Sequence, residues 1–354
     1  MIFNLIFFKL TLFFFKAIGF FNYKKNHVAV ICCPLYIGDM IFLFPLIRAL
    51  KENDPNRKII FLCKEEFKSL LVLNPDIDDV RIVRKSAINV LKNYWAIVNA
   101  TFFYTPMADY WKRLAHAVHA KNIISFDSSK NFKVLKSLNI PKAQHVSEYL
   151  LELLPSNESI KINSKPFLNS SLNYSDLLII QCDGRNLNIK SFTEDQLNQI
   201  IKIASEFPVK IQLMGLYKPA KEFNLPNIID LRGQSNFDEW IKYILGARFV
   251  IGLDSAAAQL RKAIGKSAYI LMGPADNFFF GNTRLFPGIT IISNDNLTCR
   301  DRKFFQGQFF ETLSNCQKNK CDNSKGRECI DGKIFDAFIS SIRKELSADF
   351  EKIN

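Results

Sequence analysis

The chain has 354 residues, 48% hydrophobic and 23% charged, and its 47 lysines and arginines outnumber 34 aspartates and glutamates for a formal net charge of +13. That length and apolar content exclude a disordered chain and a small disulfide-stapled scaffold, and they suit two domains. The positive excess favours an acidic partner (anionic lipid or a phosphorylated substrate), and its spread along the chain, without a basic arm, argues against nucleic acid.

Residues 1–23, MIFNLIFFKLTLFFFKAIGFFNY, are almost long enough to span a bilayer, but Lys9 and Lys16 interrupt them. The two lysines are one heptad apart and share a helical face, and Lys24 and Lys25 follow. The pattern predicts a hydrophobic helix over 1–25 lying in the membrane interface, lysines toward phosphates and phenylalanines toward acyl chains. A spanning anchor, a cleaved signal peptide and a helix packed on the protein are the alternatives. No positive charge precedes the apolar run, which disfavours the signal peptide.

Alternation of strand and helix begins at residues 27–33, HVAVICC, a short apolar run read as a buried strand. A turn carrying Gly38 and Asp39 leads to a helix over 40–52, in which Pro45 is expected to kink or shorten the first turns. A strand over 58–63, a helix over 64–73 and a strand over 80–83 follow, with Asn74-Pro75-Asp76 as punctuation. Short connections in this order specify a parallel sheet with right-handed crossovers. Residues 96–126 resolve into nothing clear beyond a basic, helix-like stretch over 107–120.

Residues 154–175 are polar and rich in Asn, Ser and Pro, the best interdomain boundary in the chain. The alternation then restarts: strand 177–182, helix 193–205 capped at Thr193, strand 210–214 ending at Gly215, strand 228–231, helix 237–245, strand 249–253, helix 256–264 and strand 268–272. A last helix over 335–353 is expected to pack back across the domains. The organisation is therefore a membrane-associating helix (1–25), two α/β domains (26–160 and 161–334) and a C-terminal helix (335–354).

Three places can carry chemistry. The Gly38-Asp39 turn joins a strand to a helix, where open α/β sheets bind ligands. Asp39 can be a helix N-cap or, in a cleft beside a hydroxyl, a general base. The stretch Gly252-Leu253-Asp254-Ser255-Ala256-Ala257-Ala258-Gln259 also runs from strand to helix. Its first amides suit a pyrophosphate, with Ser255 as a further donor; an ordinary capped helix is the bland reading. Lys190, in a polar loop after a strand, can neutralise a leaving diphosphate or simply be solvated.

In this order and spacing these sites resemble glycosyltransferase family 9, the ADP-heptose:lipopolysaccharide heptosyltransferases. Ile37-Gly38-Asp39, Pro45, Arg48-Ala49-Leu50 and the run from Leu73 to Val80 are similar to that family's opening block. Leu231-Arg232-Gly233-Gln234-Ser235, Gly252 to Gln259, Lys266 and Leu271-Met272-Gly273-Pro274-Ala275-Asp276 resemble its later blocks, so the likeness covers roughly residues 28–330. It implies a GT-B fold, with two Rossmann-like domains whose parallel sheets face a central cleft, 26–160 for the acceptor and 161–334 for the nucleotide sugar. It implies inverting transfer, without metal or cofactor, of heptose or a related sugar from a nucleotide diphosphate, ADP-linked by preference. The acceptor would be a lipopolysaccharide or lipooligosaccharide core at the cytoplasmic face of the bacterial inner membrane. Asp39 would be the base; Lys190, Gly215, Asp254, Ser255, Ala256 and Gln259 would serve the donor; and Gly38 and Gly252 would let backbone come close.

The family's donor motif reads Asp-Thr-Gly-x-x-His, and here it is Asp254-Ser255-Ala256-Ala257-Ala258-Gln259. Serine keeps the hydroxyl, Ala256 adds a methyl where a phosphate approaches, and Gln259 removes a cation one turn into the helix. These departures leave room for a hexose or N-acetylhexosamine donor. They also motivate a rival reading, a catalytically inactive accessory protein that binds nucleotide or glycan. A sugar-nucleotide epimerase of the same fold is a second rival, with no use for an N-terminal anchor.

Asp76-Ile77-Asp78-Asp79 imitates a D-x-D metal motif but lies in the Asn-Pro turn, and His116 and His119 suit a solvated or acceptor-facing helix better than a metal site. Cys32, Cys33, Cys63 and Cys182 sit in apolar runs as small hydrophobes. Cys299, Cys316, Cys321 and Cys329 lack C-x-x-C pairing, and zinc, disulfide and free thiols all stay open.

Overall fold

The computed structural model describes residues 28–33, 36–83, 101–104, 122–125, 145–151, 154, 165–184, 190–219, 223, 225–273, 281–286, 288–295 and 327–351. The expected helix over 1–25, His116, His119, Cys299, Cys316 and Cys321 lie outside them. Among the described residues no helix is long and apolar enough to cross a membrane. The chain divides into two units, Met1–Asn139 with Ser147–Ile162, and Ile140–Val146 with Asn163–Asn354.

The first unit carries β1 (Val28–Cys32), β2 (Lys58–Cys63), β3 (Asp79–Ile82), β4 (Thr101–Tyr104) and β5 (Asn122–Ser125). They pair in parallel in the order β3-β2-β1-β4-β5. β1 and β2 are apolar and buried nearly throughout, as strands covered on both faces must be. The helix expected over 40–52 is two helices, α1 (Ile37–Phe42) and α2 (Phe44–Asn53), broken at Leu43. Pro45 explains the break. It has no amide hydrogen to continue the ladder from α1, yet in the first turn of α2 that hydrogen is not needed.

The helix expected over 64–73 is shorter still, a 3₁₀ turn (Glu65–Phe67) running into α3 (Lys68–Leu71). Asn74 ends it: its side-chain oxygen accepts the amide of Asp76 at 2.9 Å, an Asx turn across Pro75. The carboxylates that follow are each claimed by a cation. Asp76 meets Arg48 at 2.9 Å, Asp78 meets Lys51 at 2.8 Å and the amide of Ile59 at 2.7 Å, and Asp79 meets Arg81 at 2.7 Å. The run that imitates a metal motif thus ties the turn to α2 and the start of β2.

α4 (Val146–Leu151) precedes the second unit's sheet of β6 (Tyr174–Gln181), β7 (Lys210–Met214), β8 (Ile228–Asp230), β9 (Ala247–Leu253), β10 (Tyr269–Met272) and β11 (Thr290–Ser293). All pairs are parallel and the order is β11-β10-β9-β6-β7-β8. Its helices are α5 (Glu194–Ala204), α6 (Phe237–Gly246), α7 (Ala256–Ile264) and α8 (Lys333–Glu351). α5 is capped as expected: Thr193 accepts the amide of Gln196 at 3.2 Å, and the Gln196 side chain returns the bond at 3.0 Å.

Leu178, Ile180, Ile200, Ile211, Phe249 and Leu271 form a core that Phe335, Phe338, Ile342 and Leu346 of α8 complete. Their spacing of three and four residues is one helical face, so α8 spends its apolar face on this unit's own core. Arg261 of α7 is fully buried and donates to the carbonyls of Ile244, Ala247, Arg248 and Ser267 at 2.8–3.1 Å, satisfying the end of α6. Burial pulls its guanidinium down to about 9, where it is still charged at neutral pH.

Candidate active site

Open parallel sheets bind ligands beyond the carboxyl ends of their strands, where the strand order reverses. In the second unit that point lies between β6 and β9, which pair with Gln181 opposite Gly252. The chain leaving β6 turns outward at Asp183 and comes back at Ser191, closed by Gly184 N donating to Lys190 O at 2.7 Å and Phe192 N to Cys182 O at 3.0 Å. The returning limb sets Lys190 against the start of α7, where Nζ meets Asp254 Oδ2 at 2.8 Å. Both side chains are largely buried, 26% and 11% exposed. Two candidates 64 residues apart are one ion pair.

The pair assigns Asp254 a narrower role than the sequence suggests. A carboxylate repels anions, and here it is spent on holding the Lys190 ammonium in place. Ser255 is the N-cap of α7, in extended conformation, yet its side chain caps nothing. Its Oγ is buried without a hydrogen-bond partner among the described residues. Such a group loses the hydration it had in the unfolded chain, so a ligand oxygen would repay it. Ala256 begins the helix half-buried, where amides have no partner within the helix and the dipole favours an anion. Gln259, one turn on, is buried.

Asp183 escapes the sequence reading. It is buried, and its Oδ1 accepts the amide of Leu216 at 2.7 Å, fixing the turn after β7. Burial pushes its carboxyl up, against the amides of Leu216 and Tyr217 and the charge of Arg232. Gly215 is explained by the same contact, because a Cβ there would overlap the Asp183 carboxylate. The glycine leaves room for Asp183, a role different from direct approach to a donor. Gly233, at φ 67°, turns left-handed to donate its amide to Gly215 O at 3.0 Å. Asp230 grips Arg232 through two bonds of 2.9 and 2.5 Å. The signal that was available is a charged residue directly after an apolar strand, with a glycine at the end of the neighbouring strand.

Gly252 is close-packed as well, since a Cβ would lie 3.0 Å from Gln181 Cβ. Gln181 bridges onward, accepting from Trp240 Nε1 at 2.8 Å and donating to Asp183 O at 2.8 Å.

In the first unit the order reverses between β1 and β4. The N-cap of α1 is Tyr36, exposed and extended. Asp39, instead of being the cap, is the third residue of the helix, and its Oδ2 reaches back to accept the Tyr36 amide at 3.3 Å. Gly38 lies in the same first turn. Lys64, leaving β2, places Nζ 5.9 Å from the Tyr36 ring. Tyr36 and Lys64 are absent from the sequence candidates because neither stands in a recognisable motif.

The strand cysteines are not reactive groups. Burial lifts the Cys63 thiol to about 12 and drives Cys32 and Cys182 far up. Cys329 is half-buried.

No protein-family model and no curated protein matches the chain. Solved structures do. The family 9 glycosyl transferase of Veillonella parvula DSM 2008 is 16% identical, covering 75% of this chain and 85% of its own, with a TM-score of 0.59. The ADP-heptose LPS heptosyltransferase II of E. coli is 13% identical, covering 83% and 99%, also at 0.59. The E. coli heptosyltransferase WaaC, solved with ADP, is 14% identical, covering 80% and 99%, again at 0.59. The chain has the fold of these glycosyltransferases.

Proposed function

We propose that the chain is an inverting glycosyltransferase. It moves a sugar, heptose or a relative, from a nucleotide diphosphate to a lipopolysaccharide or lipooligosaccharide core, without a metal. The observation that carries the proposal is the Lys190–Asp254 pair beside the uncapped start of α7, where the sheet order reverses, in the fold of enzymes whose names specify ADP-heptose donors. In this reading Lys190, Ser255 and the first amides of α7 bind the diphosphate and take its growing charge as the sugar leaves. Asp39 accepts the proton of the acceptor hydroxyl, whose oxygen attacks the anomeric carbon from the side opposite the departing diphosphate. Ala256 adds a methyl and Gln259 lacks the cation of the family pattern, which leaves room for a donor sugar other than heptose.

The positive charge and the phenylalanine-rich N-terminus support working at the cytoplasmic face of the bacterial inner membrane, against a lipid-linked acceptor. Binding of ADP-, UDP-, GDP- and CMP-sugars to the protein and to Lys190→Ala tests the donor site. One nucleotide sugar should bind selectively, and the variant should weaken it by about ten-fold or more, the worth of a charge-assisted bond. Equal binding in both proteins would remove Lys190 from the site. No binding of any of the four would favour the accessory-protein reading.

A further inference from the structure

Tyr36 and Lys64, which no motif singles out, meet at one edge of the first unit's sheet. β1 and β2 run parallel with Cys32 opposite Leu62, so the chain leaves both strands at the same carboxyl edge, where such sheets bind ligands. Tyr36 follows β1 and is 47% exposed; Lys64 follows β2, and its side chain is 44% exposed. The Lys64 ammonium lies 5.9 Å from the centre of the Tyr36 ring and 5.8 Å from that of Phe67. Phe67 is buried in the 3₁₀ turn after β2, so one of the two rings that hold the cation is fixed.

A lone exposed aromatic or a lone surface lysine is ordinary. The company of these two is not. Arg48, Lys51 and Arg81 of the same unit hold their carboxylates at 2.7–2.9 Å. The carboxylate that Lys64 reaches among the described residues is Glu66, at 3.9 Å and 59% exposed. So loose and hydrated a pair contributes little and gives way to a better-placed anion. Tyr36 also shares a turn with Asp39, whose half-buried carboxylate accepts the Tyr36 amide at 3.3 Å. An exposed ring, an ammonium group and the carboxylate assigned as the base therefore gather at one place, all within the first unit.

That combination fits a sugar carrying an anionic group. The C–H face of a sugar ring is apolar and faintly positive, and it packs on the negative face of an aromatic ring. An ammonium group takes a carboxylate or a phosphate on the same sugar. We propose that Tyr36 and Lys64 form an acceptor subsite, in which the phenol ring carries a sugar and Lys64 selects one with an anionic substituent. This rests on the reading of Asp39 as the acceptor's base. Asp39 then meets a hydroxyl of a sugar held by the residue three places before it. Selection through an exposed charge is screened by salt, whereas packing on the ring is not.

The experiment is calorimetric titration of the full-length protein with lipid-free lipopolysaccharide core oligosaccharide in three forms, intact, dephosphorylated and carboxyl-reduced, at low and high salt. Wild type is run beside Lys64→Met, Tyr36→Leu and Tyr36→Phe. Both side chains are exposed, so the variants should fold, and their unfolding midpoints check it. Wild type should bind one neutralised form more weakly than the intact core, and that form identifies the anion as phosphate or carboxylate. Lys64→Met should weaken the intact core by about three- to ten-fold, more at low salt, and lose the discrimination between forms. Tyr36→Leu should weaken every form by about three-fold or more, and Tyr36→Phe should restore it. Equal binding of all three forms by wild type, discrimination kept in Lys64→Met, or Tyr36→Leu binding like wild type overturns the inference. Each leaves the role of Asp39 standing, to be judged by turnover of Asp39→Asn. A protein that binds no form of the core ends the acceptor reading together with the inference.

Discussion

The turn from β1 into α1 and the turn from β9 into α7 occupy the same slot in their sheets, the carboxyl end of a strand beside the order reversal, and they spend a carboxylate in opposite ways. Asp39 sits inside its helix and bonds back to the Tyr36 amide, so the first turn of α1 is sealed by its own residue. Asp254 sits before its helix and reaches sideways to Lys190, and among the described residues no side chain caps the first turn of α7 and none bonds the Ser255 hydroxyl. The first turn ends in a carboxylate, whereas the second gathers an ammonium group, a hydroxyl and the first amides of a helix. A strand-turn-helix is a neutral frame, and moving one aspartate by a few residues changes which polar groups its first turn leaves available.

The largest effect should come from Asp39→Asn. Asparagine keeps an oxygen that can accept the Tyr36 amide, so the cap survives and only the proton acceptor is lost. Turnover with a saturating donor should fall by about 10²–10⁴-fold, the range for removing a general base, with donor affinity unchanged. Unaltered turnover would make Asp39 a helix cap and nothing more, and the two turns would no longer divide the work.

Much of this frame is readable from sequence, for physical reasons that differ along the chain. β7 and α7 match their expected spans, Lys210–Met214 and Ala256–Ile264, because each is an unbroken run with distinct ends. β4, β5 and β11 escape: each is four residues long, and FFY or II within a polar surround gives no period to recognise. Pro45 signals a break, but only the structure shows that α1 begins before Asp39 and turns a supposed cap into a third-position residue. In the candidate site Lys190 and Asp254 are legible as separate polar residues at strand ends. Their pairing is not, since it depends on a loop returning across 64 residues. Asp183 stayed hidden because its partners are backbone amides of another turn, which carry no side-chain signature.

A middle effect tests that hidden brace. The turns at the second unit's site lean on one another, from Asp183 to Leu216 and from Gly233 to Gly215, while α1 is closed within its own turn. Gly215→Ala puts a methyl where the Asp183 carboxylate lies, and the carboxylate must move away from the Leu216 amide. The cost should be about 1–3 kcal/mol in denaturant unfolding, the usual range for overpacking or for stranding a buried acceptor. Donor affinity should fall with it, because Asp183 starts the loop that returns with Lys190. Unchanged stability would mean that the brace is slack and the β7 turn independent of the site.

The smallest expected effect is the most specific. Ser255 Oγ is buried and bonds to nothing among the described residues. Removing a group that is already desolvated and unsatisfied should cost almost nothing, so Ser255→Ala should unfold within about 0.5 kcal/mol of the wild type. A serine that capped α7 would behave otherwise, losing about 1 kcal/mol on the same change. If the hydroxyl instead awaits a phosphate oxygen, the loss appears only with ligand present, as about a five- to ten-fold weaker donor affinity. Unfolding midpoints measured with and without nucleotide sugar separate the two. A variant equally stable in both conditions would leave the hydroxyl without a role and reduce the anion receptor to Lys190 and backbone amides. A gap that opens only with the donor would show the uncapped turn completed by its ligand, where α1 is completed by its own aspartate.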